Sequence, residues 1–286
     1  MTRPTLRPLA ARRLLAALLL LALAACARVP APRLFPEAPN AITVRTDALL
    51  PADVLLLGEQ HDAAEHQHIQ QQVVARLAVT GQLGALALEM AEAGTSTAAL
   101  KANSTQRQVQ QALGWNNQAW PWAAYGPAVM VAVKAGVPVL GANLPAAKMR
   151  EAMADTQLDT RLPGPALKAQ QQLIRLGHCG LLPEERIAPM TRIQVARDIS
   201  MARTIEQALL PGKTVVLLAG SGHVDRTLGV PQHLPANLQL RAVLLQAGSV
   251  AREERGAPPA FDGVWTTLAV AAQDYCAALQ NRIKRP

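Results

Sequence analysis

Short apolar runs recur along this sequence and are separated by longer segments in which apolar and polar residues are mixed. Each run is bounded by turn residues, which is typical of strands that are buried on both faces. The first clear run ends in a glycine, a carboxylate and an imidazole. The pattern predicts six strands, at residues 54–58, 84–90, 138–144, 214–223, 239–246 and 265–270.

The segments between the strands have the spacing of helices. Asp62 and Glu65 are placed as an N-cap and capping-box pair that opens a helix of about 18 residues. His66 and His68 lie on this helix and are expected to be solvated. A short edge strand is predicted at 42–44, and further helices at 95–113, 127–135 and, as a pair interrupted near 177–183, at 166–210. Strands that alternate with helices imply an α/β fold, a mainly parallel sheet flanked by helices on both faces.

The first 25 residues have the features of a targeting segment. A basic start without acids leads into a short apolar stretch at 14–25, and residues 23–26 (LAAC) match a bacterial lipobox. We predict a lipoprotein signal peptide at 1–25 and acylation of Cys26; an ordinary signal peptide with a chance cysteine is the alternative. Ala27 after the cysteine favours the outer membrane. A lipid-anchored protein with a soluble periplasmic domain is therefore expected, and the cell surface is also compatible.

The rest of the chain divides into a proline-rich tether at 26–41, one α/β domain at 42–275 and a basic tail at 276–286. The formal net charge is +8, but four of the basic residues belong to the leader, so nucleic acid is not an expected partner. An oxidising periplasm permits a disulfide between Cys179 and Cys276, although the sequence does not place them within reach of each other.

Polar residues follow four of the predicted strands, at the point where each strand ends. They are Glu59 with His61, Glu89, Asn143 and His223. The carboxyl ends of parallel strands meet at one edge of the sheet, where ligands bind in open α/β folds. Carboxylates and imidazoles in one crevice are suited to proton transfer and to metal ligation alike.

Half of the eight aromatic residues fall between positions 115 and 125. Trp115, Trp120, Trp122 and Tyr125 either cover the end of a helix or form the wall of a pocket for a flat apolar ligand. Tyr125 is the most informative of them, because a tyrosine oxygen is a known axial ligand of haem iron.

Several motifs occur in an order that resembles the ChaN-type haem-binding, iron-regulated lipoproteins. They are residues 58–62 (GEQHD), 88–90 (LEM), 120–127 (WPWAAYGP), 141–145 (GANLP), 194–202 (QVARDISMA) and 219–223 (AGSGH). The resemblance extends from about residue 54 to residue 248.

The resemblance implies a parallel sheet flanked by helices, haem held by a tyrosine at the interface of a homodimer, and a role in iron acquisition with an outer-membrane haem receptor as a possible partner. Tyr125 is the implied iron ligand, since Tyr275 lies outside the matching region. Trp120 and Trp122 are implied neighbours of the haem. No motif marks the partners of the propionates, for which Lys134, Lys148 and His178 are open candidates.

A second resemblance points to a different activity. Glu59, His61, Glu89 and His223 match the strand-end glutamates and histidines of erythromycin-esterase-like and membrane-anchored metalloprotease families. There such residues bind a divalent metal or act as base and acid, so a hydrolase is the alternative function. We expect this cleft and the haem surface to be neighbours, with Tyr125 on the haem surface.

Overall fold

A computed structural model describes residues 41–248 and 260–283. Six parallel strands form one sheet in the order β3-β2-β4-β1-β5-β6, which confirms the predicted α/β fold. The predicted signal peptide, Cys26 and most of the tether lie outside the described residues. The strands are β1 (Val54–Glu59), β2 (Leu83–Glu92), β3 (Val139–Asn143), β4 (Thr214–Gly220), β5 (Leu240–Ala247) and β6 (Gly263–Thr267).

Helices connect these strands and cover both faces of the sheet. In the described part of the chain they are α1 (Ala41–Asp47), α2 (Ala64–Val79), α3 (Gln106–Ala112), α4 (Trp122–Lys134), α5 (Met149–Ala154), α6 (Gly164–Gly177), α7 (Glu184–Ala208), α8 (Ser221–Val224) and α9 (Tyr275–Ile283). The helix pair expected near 166–210, with its interruption, is confirmed as α6 and α7.

Strand β1 shows why the apolar run is continuous. Its successive side chains point to opposite faces. Leu55 and Leu57 pack in the core under α2 and α4, while Val54 and Leu56 pack in the core under α7. A strand buried in this way on both faces has no position at which a polar residue is tolerated before its end.

The register of the sheet brings the strand ends level with one another. Glu59 at the end of β1 is paired with Gly220 at the end of β4. Helix α8 crosses closely over β1 at this point, and a Cβ on Gly58 would lie 2.2 Å from Cγ2 of Val224. The glycine that precedes Glu59 is therefore required by the close approach of α8.

Two segments differ from the prediction. Residues 42–44 belong to helix α1 and not to a strand, because Ile42 and Thr46 are buried at helical spacing and the run was too short to show it. Of the helix predicted at 95–113, only α3 forms, starting where Thr105 makes a capping box with Gln108. The preceding residues run beside β3, where the Thr97 hydroxyl accepts a hydrogen bond from the Val139 amide. The polar residues in this segment therefore belong to a loop at the edge of the sheet and not to a helix.

The start of α2 also differs. Ala63 occupies the N-cap without a side-chain hydrogen bond, so Asp62 is not the predicted cap. His66 is fully buried rather than solvated, because its Nδ1 accepts the Gln60 amide hydrogen bond at 3.0 Å and its Nε2 lies 2.9 Å from Oγ1 of Thr267. It ties the β1–α2 loop to the end of β6.

Three other boundaries shift. Helix α4 begins at Trp122 and contains Pro127, so it starts earlier than predicted. The sixth strand ends at Thr267, and α9 occupies a region where no helix was expected. The disulfide that the sequence permits is present between Cys179 and Cys276, and it joins the corner between α6 and α7 to α9 across 97 residues of sequence.

Candidate functional site

A cleft of about 740 Å³ opens at the carboxyl edge of the sheet. It lies where β1, β2, β4 and β5 end, as expected for an open α/β fold. Its wall combines polar strand-end residues with two leucines of β5 and one tyrosine of α9. The lining comprises residues 59–62, Glu89, Gln194, residues 220–223, residues 244–246 and Tyr275.

Glu59 is the most heavily hydrogen-bonded side chain of this edge, and it is 1% exposed. Its Oε1 accepts from the Tyr125 hydroxyl at 2.7 Å and lies 2.8 Å from Nδ1 of His61. Its Oε2 accepts from Nε2 of Gln67 at 2.8 Å and of Gln70 at 3.0 Å. Because each oxygen already has two partners, the carboxylate acts here as a positioning group for its neighbours.

His61 stands between the interior and solvent. Its side chain is 41% exposed, its ring meets the Trp120 ring at 4.8 Å between centroids, and its Nε2 lies 3.8 Å from Oε2 of Glu89. Burial opposes a charge on the ring, but the hydrogen bond to Glu59 and the charge on Glu89 outweigh it and raise the pKa of His61. The geometry therefore favours a protonated imidazole between two carboxylates.

Glu89 lies at the centre of the group. Its Oε2 accepts the Gly220 amide hydrogen bond at 2.7 Å, and its Oε1 is 3.5 Å from Nε2 of His223. Burial opposes ionisation, yet the charge and hydrogen bond of His223, together with His61 and the Gly220 amide, lower the pKa of Glu89 to about 2. It is an ionised carboxylate in a buried setting.

His223 is held from the other side by α7. Its Nδ1 lies 2.5 Å from Oδ1 of Asp198, which is 1% exposed. Burial opposes the charge of His223, but Glu89 and Asp198 raise its pKa to about 10. Burial raises the pKa of Asp198 to about 6, even though His223 acts in the opposite direction.

Together these side chains form a series in which proton donors and acceptors alternate, with His61 and Glu89 in ion-pair contact at 3.8 Å, beyond hydrogen-bond distance. Carboxylates fixed against imidazoles shift one another's pKa values, which is how side chains are adapted to acid–base chemistry. The series runs Tyr125, Glu59, His61, Glu89, His223, Asp198.

The structure brings together four of the five predicted strand-end residues, Glu59, His61, Glu89 and His223. Asn143 does not line the cleft, and its Nδ2 instead donates to the carbonyl oxygen of Glu89 at 2.9 Å. In the described residues no group of three or more histidine, cysteine, aspartate or glutamate side chains is arranged to hold a metal ion.

Tyr125 does not lie on a separate surface beside the cleft, which corrects our expectation. It is 2% exposed on the inner side of α4, and its hydroxyl reaches the back of Glu59. Helix α4 begins at Trp122, and this start turns the Tyr125 side chain towards the core.

The other candidates for haem contact are distributed around the molecule. Trp120 borders His61, whereas the Trp122 Nε1 donates to Gln106 at 2.9 Å. His178 ends α6, with Nδ1 2.8 Å from the Ile174 carbonyl oxygen. None of the remaining candidates lines the cleft: these are Trp122, His178, Lys134 and Lys148.

Sequence reasoning missed the helix residues whose side chains hydrogen-bond to the strand-end groups. Asp198 and Gln194 lie four residues apart on α7, and the Gln194 Nε2 is 3.1 Å from Nδ1 of His223. Gln67 and Gln70 play the same part on α2. Asp198 could have been noticed in the 194–202 motif as a carboxylate among apolar helical positions. The role of Asp198, however, depends on how α7 packs across the sheet.

Comparison with known proteins identifies the family of this chain. Residues 46–234 match the family described as haem-binding uptake, Tiki superfamily, ChaN. A structure described as cofacial haem binding to ChaN of Campylobacter jejuni is 26% identical, with a TM-score of 0.62, and the alignment covers 73% of this chain and 87% of that one.

Two further structures are more distant. The type III effector HopBA1 is 16% identical with a TM-score of 0.44, and the match covers 82% of this chain and 95% of that chain. An erythromycin esterase EreC mutant is 15% identical with a TM-score of 0.45, covering 78% of each chain. No protein with a curated description matches. Since the family match covers more than half of the chain, this protein belongs to the ChaN haem-binding uptake family of the Tiki superfamily.

Proposed function

We propose that this protein binds haem at the carboxyl-edge cleft and serves haem or iron acquisition as a lipid-anchored protein. The observation that carries the proposal is the family match over residues 46–234, since this range contains the ends of β1, β2 and β4, which line the cleft. The Campylobacter jejuni relative, described as binding haem cofacially, supports the same ligand.

The residues of the cleft fit a haem. Its volume of about 740 Å³ lies in the range of roughly 300–1,000 Å³ that small-molecule sites occupy. Leu244 supplies apolar surface, and Tyr275 supplies a phenol, one of the side chains that ligate haem iron. Haem is the cargo in this proposal, and the protein's part is to bind and orient it.

The location and the assembly are also part of the proposal. The leader and Cys26 support an outer-membrane lipid anchor with the domain facing the periplasm. Within the described residues, no helix is both long and apolar enough to cross a bilayer. The cofacial arrangement named for the relative supports a homodimer that joins two haem surfaces, and an outer-membrane haem receptor is the proposed partner.

Haemin titration tests the binding proposal. Detergent-solubilised full-length protein should give a saturable change in the absorption band of haemin, and sedimentation should show a dimer as haemin is added. Absence of saturable binding at micromolar haemin contradicts the proposed function. Fractionation of cells that express the native protein or Cys26→Ala tests the anchor, because the variant should leave the membrane fraction.

A second candidate function is acid–base hydrolysis of an ester or amide. The specific observation is the buried series Asp198–His223–Glu89, in which one imidazole lies between two carboxylates. In this candidate function, protonated His61 would donate a proton to a leaving group, and ionised Glu89 would hold His61 and His223 in their charged forms. Loss of turnover in Glu89→Gln, with folding retained, would support hydrolysis; native protein that is inert across ester and amide panels contradicts it.

A further inference from the structure

We infer that the groove between α5 and α7 is a second ligand site, which takes an aliphatic carboxylate of the size of a medium-chain fatty acid. The groove has a volume of about 420 Å³, within the range of roughly 300–1,000 Å³ that small-molecule sites occupy. Its lining shares no residue with the carboxyl-edge cleft. The inference therefore does not depend on the proposed haem binding.

Helix α7 supplies one wall of this groove. The α7 residues of the lining recur at the spacing of successive helical turns, so their side chains share one face of the helix. Asp198 lies on a different face and reaches His223 in the cleft. The facing wall consists of α5 and the turn at Thr156–Thr160. The α7 residues of the groove are Ala196, Ile199, Ser200 and Arg203.

The apolar part of the lining is aliphatic. Among the described residues that line the groove none is aromatic, so a flat ring has no partner on which to stack. A hydrocarbon chain that lies on this surface loses its contact with water, and each methylene that is fully buried raises the affinity by roughly fourfold. The aliphatic residues are Leu144, Ala152, Leu158, Ala196 and Ile199.

The charges of the lining favour an anion. The lining contains three cations and two carboxylates, and both carboxylates already have partners. Nζ of Lys148 donates to Glu151 at 2.9 Å, and Oδ1 of Asp155 accepts a backbone amide hydrogen bond at 2.9 Å. Arg161 and Arg203 are exposed, and neither guanidinium has a hydrogen-bond or ion-pair partner among residues 41–248 and 260–283. A carboxylate matches the planar fork of donors that a guanidinium presents.

The walls of the groove are held together by other residues. Arg192 donates to the two carboxylate oxygens of Asp159 at 2.9 Å and 2.7 Å and to the Met153 carbonyl oxygen at 3.1 Å, which ties α5 and the turn to α7. Oγ of Ser200 donates to the Ala142 carbonyl oxygen at 2.9 Å, which ties α7 to β3. The groove is therefore formed before a ligand arrives, and binding does not have to order its walls.

Decanoate labelled with ¹³C at its carboxyl carbon tests the inference. The NMR signal of this carbon differs between protein-bound and detergent-bound carboxylate, so full-length protein in detergent can be titrated directly. Native protein should give one saturable bound signal. Arg161→Gln and Arg203→Gln should each weaken binding by about tenfold, the scale for losing a hydrogen bond to a charged group. Arg186→Gln removes the same charge from an exposed position of α7 outside the groove and should leave the affinity unchanged.

Two further ligands separate the apolar contribution from the charge. Octanoate, which is two methylenes shorter, should bind roughly tenfold more weakly than decanoate. Decanol has the same chain without the carboxylate and should displace decanoate poorly. Equal displacement by decanol, or an affinity that both arginine variants retain, overturns the inference, as does the absence of a saturable signal in native protein.

Haemin distinguishes the groove from the cleft. Decanoate should remain bound when haemin is added, because the two sites share no residue. Displacement of decanoate by equimolar haemin would assign the groove to haem and overturn the choice of ligand. Circular dichroism checks the fold of each variant, and the exposed positions of both arginines predict an unchanged spectrum.

Discussion

The cleft has two parts that are built by different physical means. Its inner wall consists of Glu59, Glu89 and His223, with Asp198 of α7 behind His223, and none of the four is more than 5% exposed. Its rim consists of His61, Asp62 and Tyr275; the His61 side chain is 41% exposed, and Tyr275 as a whole residue is 53% exposed. The wall is held by strand ends and by long helices, whereas the rim is held by a loop and a short terminal helix.

This difference determines which contacts matter for stability and which for ligand access. Charges in the wall have lost their hydration, so each depends on its partners, and removing one partner leaves another charge buried alone. Charges at the rim remain hydrated and contribute little to folding. The wall is therefore expected to be rigid and intolerant of change, and the rim adjustable.

Removal of His223 tests the rigidity of the wall and has the largest expected effect. His223→Ala leaves the buried carboxylate of Asp198 without its imidazole partner and Glu89 with only the more distant His61, so the free energy of unfolding should fall by about 3–5 kcal/mol. Urea denaturation measures it. His68→Ala, at an exposed position of α2, is the control and should change the value by less than about 0.5 kcal/mol. If the free energy of unfolding falls by a similarly small amount in both variants, the wall tolerates substitution as well as the surface does.

The wall was largely predictable from the sequence. Glu59, Glu89 and His223 come directly after or at the end of apolar strands, and parallel strands bring such residues to one edge. Asp198 could not be assigned, because it lies in the middle of α7 and meets His223 only through the packing of that helix across the sheet.

The rim and the position of Tyr125 were not predictable in the same way. Tyr275 and Asp62 are 213 residues apart, and no periodic pattern precedes Tyr275. Tyr125 was recognised as part of an aromatic stretch, but the face it presents depends on where α4 begins. That start follows the turn at Asn117, whose side chain accepts a hydrogen bond from the Trp122 amide, a detail of local geometry that composition does not show.

The two tyrosines provide a second test of the comparison. Tyr125→Phe removes a hydroxyl that donates to a buried carboxylate, so the free energy of unfolding should fall by about 1–3 kcal/mol. Tyr275→Phe removes an exposed contact at the rim and should leave the unfolding midpoint in urea almost unchanged. Equal losses would show that Asp62 and Tyr275 belong to the rigid part of the molecule.

His66 gives a test by pH, because it anchors the loop that carries the rim. Burial lowers the pKa of His66 below its ordinary value of 6.5. Below pH 6.5 the unfolded chain binds a proton that the folded protein does not, so stability falls as the pH decreases towards the folded-state pKa. The slope is at most about 1.4 kcal/mol per pH unit.

The difference in unfolding free energy between native protein and His66→Gln isolates this contribution from that of Asp198, which titrates nearby. The advantage of the native protein should shrink between pH 6.5 and pH 5, as measured by urea denaturation at each pH. A constant difference would mean that His66 binds its proton equally in the folded and unfolded states, so that burial does not lower its pKa.

Gly220 lies where the wall meets the rim, and its substitution tests whether the His61 ring can move. A Cβ on Gly220 would lie 2.9 Å from Nε2 of His61 and 3.5 Å from Oε2 of Glu89, whereas a Cβ on Gly222 has nothing within 4 Å. If the rim is adjustable, Gly220→Ala turns the His61 ring away from Glu89 at a loss of only about 1 kcal/mol, the lower end for overpacking. The pKa of His61, raised in the native protein, should then fall towards 6.5, which NMR titration of the ring protons measures. Gly222→Ala should change neither quantity. A large loss of stability in Gly220→Ala with an unchanged pKa of His61 would place this histidine in the rigid wall, since the ring would then have resisted a displacement that solvent exposure should allow.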